Sequence, residues 1–205
     1  MWCLAPRWPE HARHVAVEFV HPVIMGKRAL PAVSIVVADP VAQLRAVAKP
    51  GDVLLAISMA DEPVAGEALR RAPAWGLNTV WIGCGAAPEA GAADHVLWVD
   101  DDTGAAPFDG RLVMQYHLLW ELTHVCFEHA GLLRPDTDEC ADDVCITCSD
   151  EGRVAEIVSV DDAGHDAVAR TARGIEHIDV SLVGPVARDD LVLVHAGAAI
   201  SLVPA

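Results

Sequence analysis

Short apolar runs alternate with segments of helical spacing through residues 31–100. Pro31–Val37, Asp52–Ser58, Asn78–Gly83 and Asp94–Asp100 are strand-length and nearly continuous in apolar character, the pattern of strands buried on both faces. Residues 39–48 and 62–75 carry helical periodicity between them, so the pattern predicts an open α/β sheet with parallel strands. His11–Val20 reads as a helix before the sheet. Residues 109–131 read as a long helix after it, stopped by Gly131 and Pro135.

From Arg134 to Val144 the periodicity disappears. Beyond it come five short β-type runs, at 153–160, 165–170, 174–183, 191–195 and 199–203, punctuated by Gly164, Gly174, Gly184-Pro185 and Gly197. Five strands in about sixty residues predict a small barrel. The expected organisation is an α/β domain over 1–133, an acidic linker over 134–144 and a β-barrel over 145–205.

Charge narrows the function. A net charge of −16 disfavours nucleic acid and anionic membranes, which need basic faces. Much of the acid lies at Asp136, Asp138, Glu139, Asp142, Asp143, Asp150 and Glu151, either a solvated linker or a surface for a basic partner protein. No apolar run reaches membrane-spanning length, and the first eight residues are too short and too soon charged for a signal peptide. The expectation is a cytoplasmic protein whose six cysteines are thiols or ligands rather than disulfides.

Two groups of residues carry candidate metal chemistry. His14 and Glu18 are four apart on one helical face, with His21 continuing the stripe. His117 and His124 are seven apart on the long helix, with Glu121 and Glu128 on the same side. These stripes either meet and hold zinc or iron, or are solvated or subunit-interface polar residues. In the tail, Cys145-Ile-Thr-Cys148 opens the barrel segment and His195 closes it, with Cys140 available as a third sulfur. Soft thiolates and an imidazole suit iron or zinc, although a lone C-x-x-C also fits a pair of ordinary thiols. Cys3, Cys84 and Cys126 sit among apolar residues and read as packing groups.

The front segments resemble a known family. His14-Val-Ala-Val-Glu18-Phe-Val-His-Pro22, Pro31-Ala-Val-Ser34 and Gly51-Asp-Val-Leu-Leu-Ala-Ile-Ser58 are similar to the sugar isomerase (SIS) domain of phosphoheptose isomerases, in order, over roughly residues 10–130. The resemblance implies a metal held by His14 and Glu18. It also implies two glycine- and hydroxyl-rich turns that bind the sugar phosphate. Here those turns read Ala5-Pro-Arg-Trp-Pro9 and Met59-Ala-Asp-Glu-Pro63, without glycine or hydroxyl and with two carboxylates. The family's first helices and first strand have no counterpart in the sequence, and isomerase turnover is not expected.

The tail resembles the HypC/HupF family of hydrogenase-maturation chaperones. Gly152-Arg-Val154, Asp179-Val-Ser-Leu-Val183 and the Val-Leu-Val-His-Ala-Gly-Ala-Ala of residues 192–199 follow that family's motifs in order. The resemblance implies an OB-like barrel that binds a HypD-type scaffold protein and a hydrogenase large subunit. Its iron, carried as an iron-cyanide-carbonyl unit, would be contacted by the Cys145/Cys148 pair and His195. Two departures stand out: neither cysteine is at a free amino terminus, and Ala198 replaces the family's phenylalanine. The combined expectation is an accessory protein for [NiFe]-hydrogenase assembly, not an enzyme, and a homo-oligomer through the SIS-type domain. The alternative is a phosphosugar-binding protein or a metal-dependent, phosphoheptose-type isomerase.

Overall fold

The structure, a computed structural model, describes residues 1–24, 26–99, 110–133 and 152–204. The chain divides into two compact units: residues 1–48, 52–70 and 78–134, and residues 49–51, 71–77 and 135–205.

The first unit is a five-stranded parallel sheet. Its strands are β1 (Trp2–Leu4), β2 (Val33–Ile35), β3 (Val53–Ile57), β4 (Asn78–Cys84) and β5 (His95–Val99), in the order β2-β1-β3-β4-β5. Helices α1 (Pro9–Val20), α2 (Pro40–Val47) and α3 (Pro63–Arg71) make the crossovers, and α4 (Arg111–Glu128) follows β5. The sequence pattern predicts this architecture but not β1. Three residues are too few for a periodicity, and Trp2–Leu4 is strand because β2 and β3 pair with it on either side. The Trp2 indole N–H also donates to Asp52 Oδ2 at 2.8 Å, tying β1 to the start of β3.

Local chemistry explains the helix ends. Pro9 opens α1 with its φ already helical and no N–H to leave unpaired. Asp39 caps α2, accepting from the Ala42 N–H at 2.9 Å. Along α1, Ala12, Val15, Ala16 and Phe19 recur at intervals of three and four and are buried. On α4 the buried line is Leu112, Tyr116, Trp120 and His124, each four residues on from the last. Both lines close over one face of the sheet, where alternate strand residues Cys3, Leu55, Ile57, Ile82 and Cys84 point. This packing turns the polar edges of α1 and α4 toward each other. Cys3 and Cys84 lie in this core as packing groups, and burial pushes the Cys3 thiol up to about 12.

The second unit contains a closed barrel of β6 (Arg153–Val160), β7 (Asp166–Thr171), β8 (Gly174–Asp179), β9 (Leu191–His195) and β10 (Ala198–Leu202). The order around it is β10-β8-β7-β6-β9. The β8–β10 contact is parallel and the rest are antiparallel. Its interior is filled by Ala155, Ile157, Ala167, Ala169, Ile178, Val180, Val192, Val194 and Ala199, several of them small enough for a narrow barrel. The sequence run 174–183 ends as a strand at Asp179, because the Ser181 N–H turns onto Asp179 Oδ1 and residues 181–183 form a turn.

Two charged groups stand out in this unit. Glu156 is 2% exposed on β6, with Oε1 2.6 Å from an Arg71 guanidinium nitrogen and Oε2 accepting the Trp75 indole N–H at 3.1 Å. Glu176 accepts from the Thr171 hydroxyl at 2.7 Å and pairs with Arg153. The Thr171 bond, then Arg153, holds its carboxyl below the usual value. A depressed folded pKa contributes stability that is present above the unfolded value, roughly 4.3, and is lost as pH falls through the folded one. Glu176→Gln is therefore expected to lower stability at neutral pH and to flatten the acid limb, with the two proteins converging as pH falls through the folded value. Urea unfolding as a function of pH checks this, and identical slopes for the two proteins would refute it.

Candidate metal centre

His14 and Glu18 lie one turn apart on α1, and His117 faces them from α4. His14 Nε2 is 3.3 Å from His117 Nε2 and 3.4 Å from Glu18 Oε1, and His117 Nε2 is 3.8 Å from the same oxygen. All three residues are half-buried. A tetrahedral ion bound at 2.0–2.1 Å needs donors separated by about 3.3–3.4 Å. The three separations come close to that triangle without any movement of the backbone. Two imidazoles and one carboxylate suit Zn²⁺, and equally an Fe²⁺ site of the two-histidine, one-carboxylate kind. Three protein ligands leave coordination positions open, the arrangement of reactive rather than purely structural sites. Glu18 and His117 also line a cavity of about 500 Å³ with Val23, Met114, Leu118, Trp120 and Glu121.

The two helices are locked at this crossing. The Trp120 indole N–H donates to the Glu18 carbonyl at 2.9 Å, so one buried aromatic fixes the turn of α1 that carries the carboxylate. Tyr116 is 1% exposed, and its hydroxyl lies 3.0 Å from His14 Nδ1 and 3.2 Å from His11 Nδ1. Burial pushes the Tyr116 hydroxyl up to about 12, with the Glu18 charge adding to it. Burial also lowers His11, partly offset by Glu10 and reinforced by His14.

His124 and His21 do not join the cluster. Seven residues separate His117 and His124, which keeps them near one face but puts them about 10 Å apart along the axis, too far to share an ion. His124 belongs to the core, with Nδ1 2.8 Å from the Trp120 carbonyl and Nε2 2.9 Å from the Arg28 carbonyl. His21 follows the last turn of α1 and is exposed. Glu121 and Glu128 engage Lys27 instead, and the Glu128 bond chiefly raises the lysine. Tyr116 and His11 carried no signal as site residues. Tyr116 sits on an apolar stripe, and only its hydroxyl among core residues hints at a buried polar contact.

Of the two turns matched to phosphate sites, the one before α3 is filled from within. Glu62 is 5% exposed, and its Oε2 accepts the Ala65 N–H at 2.7 Å at the start of α3. A carboxylate thus occupies the helix N-terminus, where an anion would otherwise bind. Ser58, the nearby hydroxyl, is buried and accepts the Trp81 indole N–H at 2.9 Å. At the start of α1 no side chain caps the helix, and Arg7 lies 3.9 Å from exposed Asp61.

In the tail, Cys140, Cys145 and Cys148 lie outside the described residues. His195 ends β9 and is half-buried. The next two residues, Ala196 (φ 48°) and Gly197 (φ 84°), make the two-residue turn into β10, with His195 paired to Ala198. Positive φ at both positions is the hairpin turn that matches strand twist, which explains glycine after His-Ala in physical terms.

No family model matches the chain, and no curated protein matches it. The HypC/HupF likeness therefore rests on the motifs of the tail. Among solved structures, a phosphoheptose isomerase from Neisseria gonorrhoeae is similar at 19% identity and a TM-score of 0.44. The match covers 62% of this chain and 74% of that one. No described helix is long and apolar enough to cross a membrane.

Proposed function

We propose that this protein is a metal-handling accessory factor, a SIS-type domain with a divalent-metal site joined to a HypC-like barrel that serves [NiFe]-hydrogenase assembly. The observation that carries metal handling is the convergence of His14, Glu18 and His117 on one point. The hydrogenase role is supported by the order of the tail motifs and by His195 at the β9–β10 turn of a five-stranded barrel. In this reading the partners are a HypD-type scaffold and a hydrogenase large subunit, and the cargo is iron, carried as an iron-cyanide-carbonyl unit, or zinc. Co-purification of the full chain from a host expressing the maturation proteins tests it. The scaffold is expected to be retained by the wild type and lost from Cys145→Ala/Cys148→Ala. Retention of no maturation protein at all would remove the hydrogenase role.

Self-association fits the same reading. Met114, Leu118 and Leu122 form a line along α4, at 73%, 59% and 52% exposure, too apolar a stripe to be an ordinary solvated face. A homo-oligomer would cover it, and a monomeric mass by light scattering would contradict that.

For the first unit taken alone, a second reading has more support than the hydrogenase role: a SIS-type phosphosugar-binding protein or isomerase. It is favoured by His14 and Glu18, which resemble the isomerase family's metal-binding histidine and glutamate in type and spacing. Glu62 and Ser58 oppose turnover, since a phosphate at the start of α3 would meet a carboxylate already bonded there. Repulsion of that kind acts on substrate and transition state alike. Zinc-loaded protein is expected to leave sedoheptulose 7-phosphate unconverted, and steady conversion would establish the isomerase.

A further inference from the structure

We propose that Tyr116 is a positioning residue for the metal ligand His14, fixing its ring as the tautomer with the proton on Nδ1 and the lone pair on Nε2, and that His11 fixes Tyr116 in turn. The inference rests on the metal-site reading of His14, Glu18 and His117 and assigns the groups behind it.

A neutral imidazole carries one N–H and one lone pair, and the nitrogen that binds a metal must be the one without the proton. Of the two nitrogens of His14, Nε2 is the one that lies 3.3 Å from His117 Nε2 and 3.4 Å from Glu18 Oε1. Its proton therefore belongs on Nδ1, and that N–H needs an acceptor. Tyr116 Oη is the atom placed for it, at 3.0 Å.

The phenol has a single hydrogen. When its oxygen accepts from His14, its own O–H has to be donated elsewhere, and His11 Nδ1 is 3.2 Å away. The order of donation then runs from His14 Nδ1–H to Tyr116 Oη, and from Tyr116 Oη–H to His11 Nδ1. The reverse order is also geometrically possible, with His11 donating to Tyr116 and Tyr116 to His14 Nδ1. It would put the His14 proton on Nε2, aimed at the place of the ion. With the phenol hydrogen donated to one of the two histidines, two proton orders remain, and only one is compatible with a metal on His14.

The same contacts explain the residue choices. A phenylalanine at position 116 would pack equally well but would leave the His14 N–H without its acceptor. Tyr116 is 1% exposed and His11 8%, so water is poorly placed to substitute for either partner. Partners of this kind, behind the direct ligand, typically govern metal affinity by roughly 10–100-fold.

The test uses the full chain with the three tail cysteines intact or replaced by alanine. Zinc affinity is measured by competition with a chromophoric chelator for the wild type and for Tyr116→Phe. The expected result is binding about 10–100-fold weaker in the variant, in a metal-free protein that still unfolds cooperatively, at a melting temperature lowered by the lost buried hydrogen bonds. A second readout needs no variant: nitrogen-15 spectra of the zinc-loaded wild type should show His14 protonated on Nδ1 and His11 on Nε2. Equal zinc affinity in Tyr116→Phe, or His14 protonated on Nε2, would overturn the positioning role while leaving the metal site standing. Absence of zinc binding at these histidines in the wild type would instead remove the site itself, and this inference with it.

Discussion

His14→Ala/His117→Ala is expected to eliminate the metal bound by the first unit, while Cys145→Ala/Cys148→Ala is expected to retain it. The two substitutions remove both imidazoles of a three-ligand set and leave Glu18 alone, so the loss should exceed the roughly 10–100-fold typical of an outer partner. Stability offers a second reading of the same event. A ligand that binds only the folded state at 100 times its Kd adds about 2.7 kcal/mol. Zinc should therefore raise the unfolding midpoint of the wild type and of the cysteine variant, and should leave the histidine variant unmoved. Metal content by mass spectrometry, with calorimetry on the same samples, checks both. A histidine variant that kept its zinc while the cysteine variant lost it would move the metal site to the tail.

Glu156→Ala should destabilise the second unit by about 3–5 kcal/mol, the usual cost of removing one partner of a buried ion pair. The carboxylate is almost wholly buried, and its loss removes the counter-charge 2.6 Å from the Arg71 guanidinium nitrogen and the acceptor of the Trp75 indole N–H at 3.1 Å. The same Arg71 nitrogen also donates to the Asp189 carbonyl at 2.9 Å, which places the expectation toward the lower end of that range. The double substitution Arg71→Met/Glu156→Leu should recover part of the loss, because it removes the desolvated pair at once, while Arg170 Nε, 3.8 Å from the carboxylate, and the Trp75 N–H still lose their partner. Denaturant unfolding of the three variants forms the cycle. A single substitution as mild as a surface change, under about 0.5 kcal/mol, would show that the pair is not a stabilising contact.

Much of the architecture follows from the order of residues alone. Apolar runs alternating with helical segments specify a parallel sheet, because strands buried on both faces leave no polar face and their connections have to be helices. Closely spaced short strands with glycine turns specify a barrel, because a small sheet hides its edges by closing on itself. The same local logic places His14 and Glu18 together, since residues four apart on a helix share a face whatever surrounds it.

Other features had no local signal. Trp2–Leu4 becomes a central strand through its two neighbours, and three residues have no pattern of their own. His124 has the spacing to accompany His117, yet the packing of α4 turns it inward among Trp120 and the backbone carbonyls that hold its ring. Glu62 reads as one of two carboxylates in the turn matched to a phosphate site, and it is the buried cap of α3. Tyr116 reads as core and is also the partner of two histidines about a hundred residues away in sequence. The sequence by itself determined the longer elements, the barrel and the His14–Glu18 pair, because those depend on periods of two and of three to four residues. Tertiary structure decided which third ligand joins that pair, because that depends on the distance between α1 and α4, which no local period encodes.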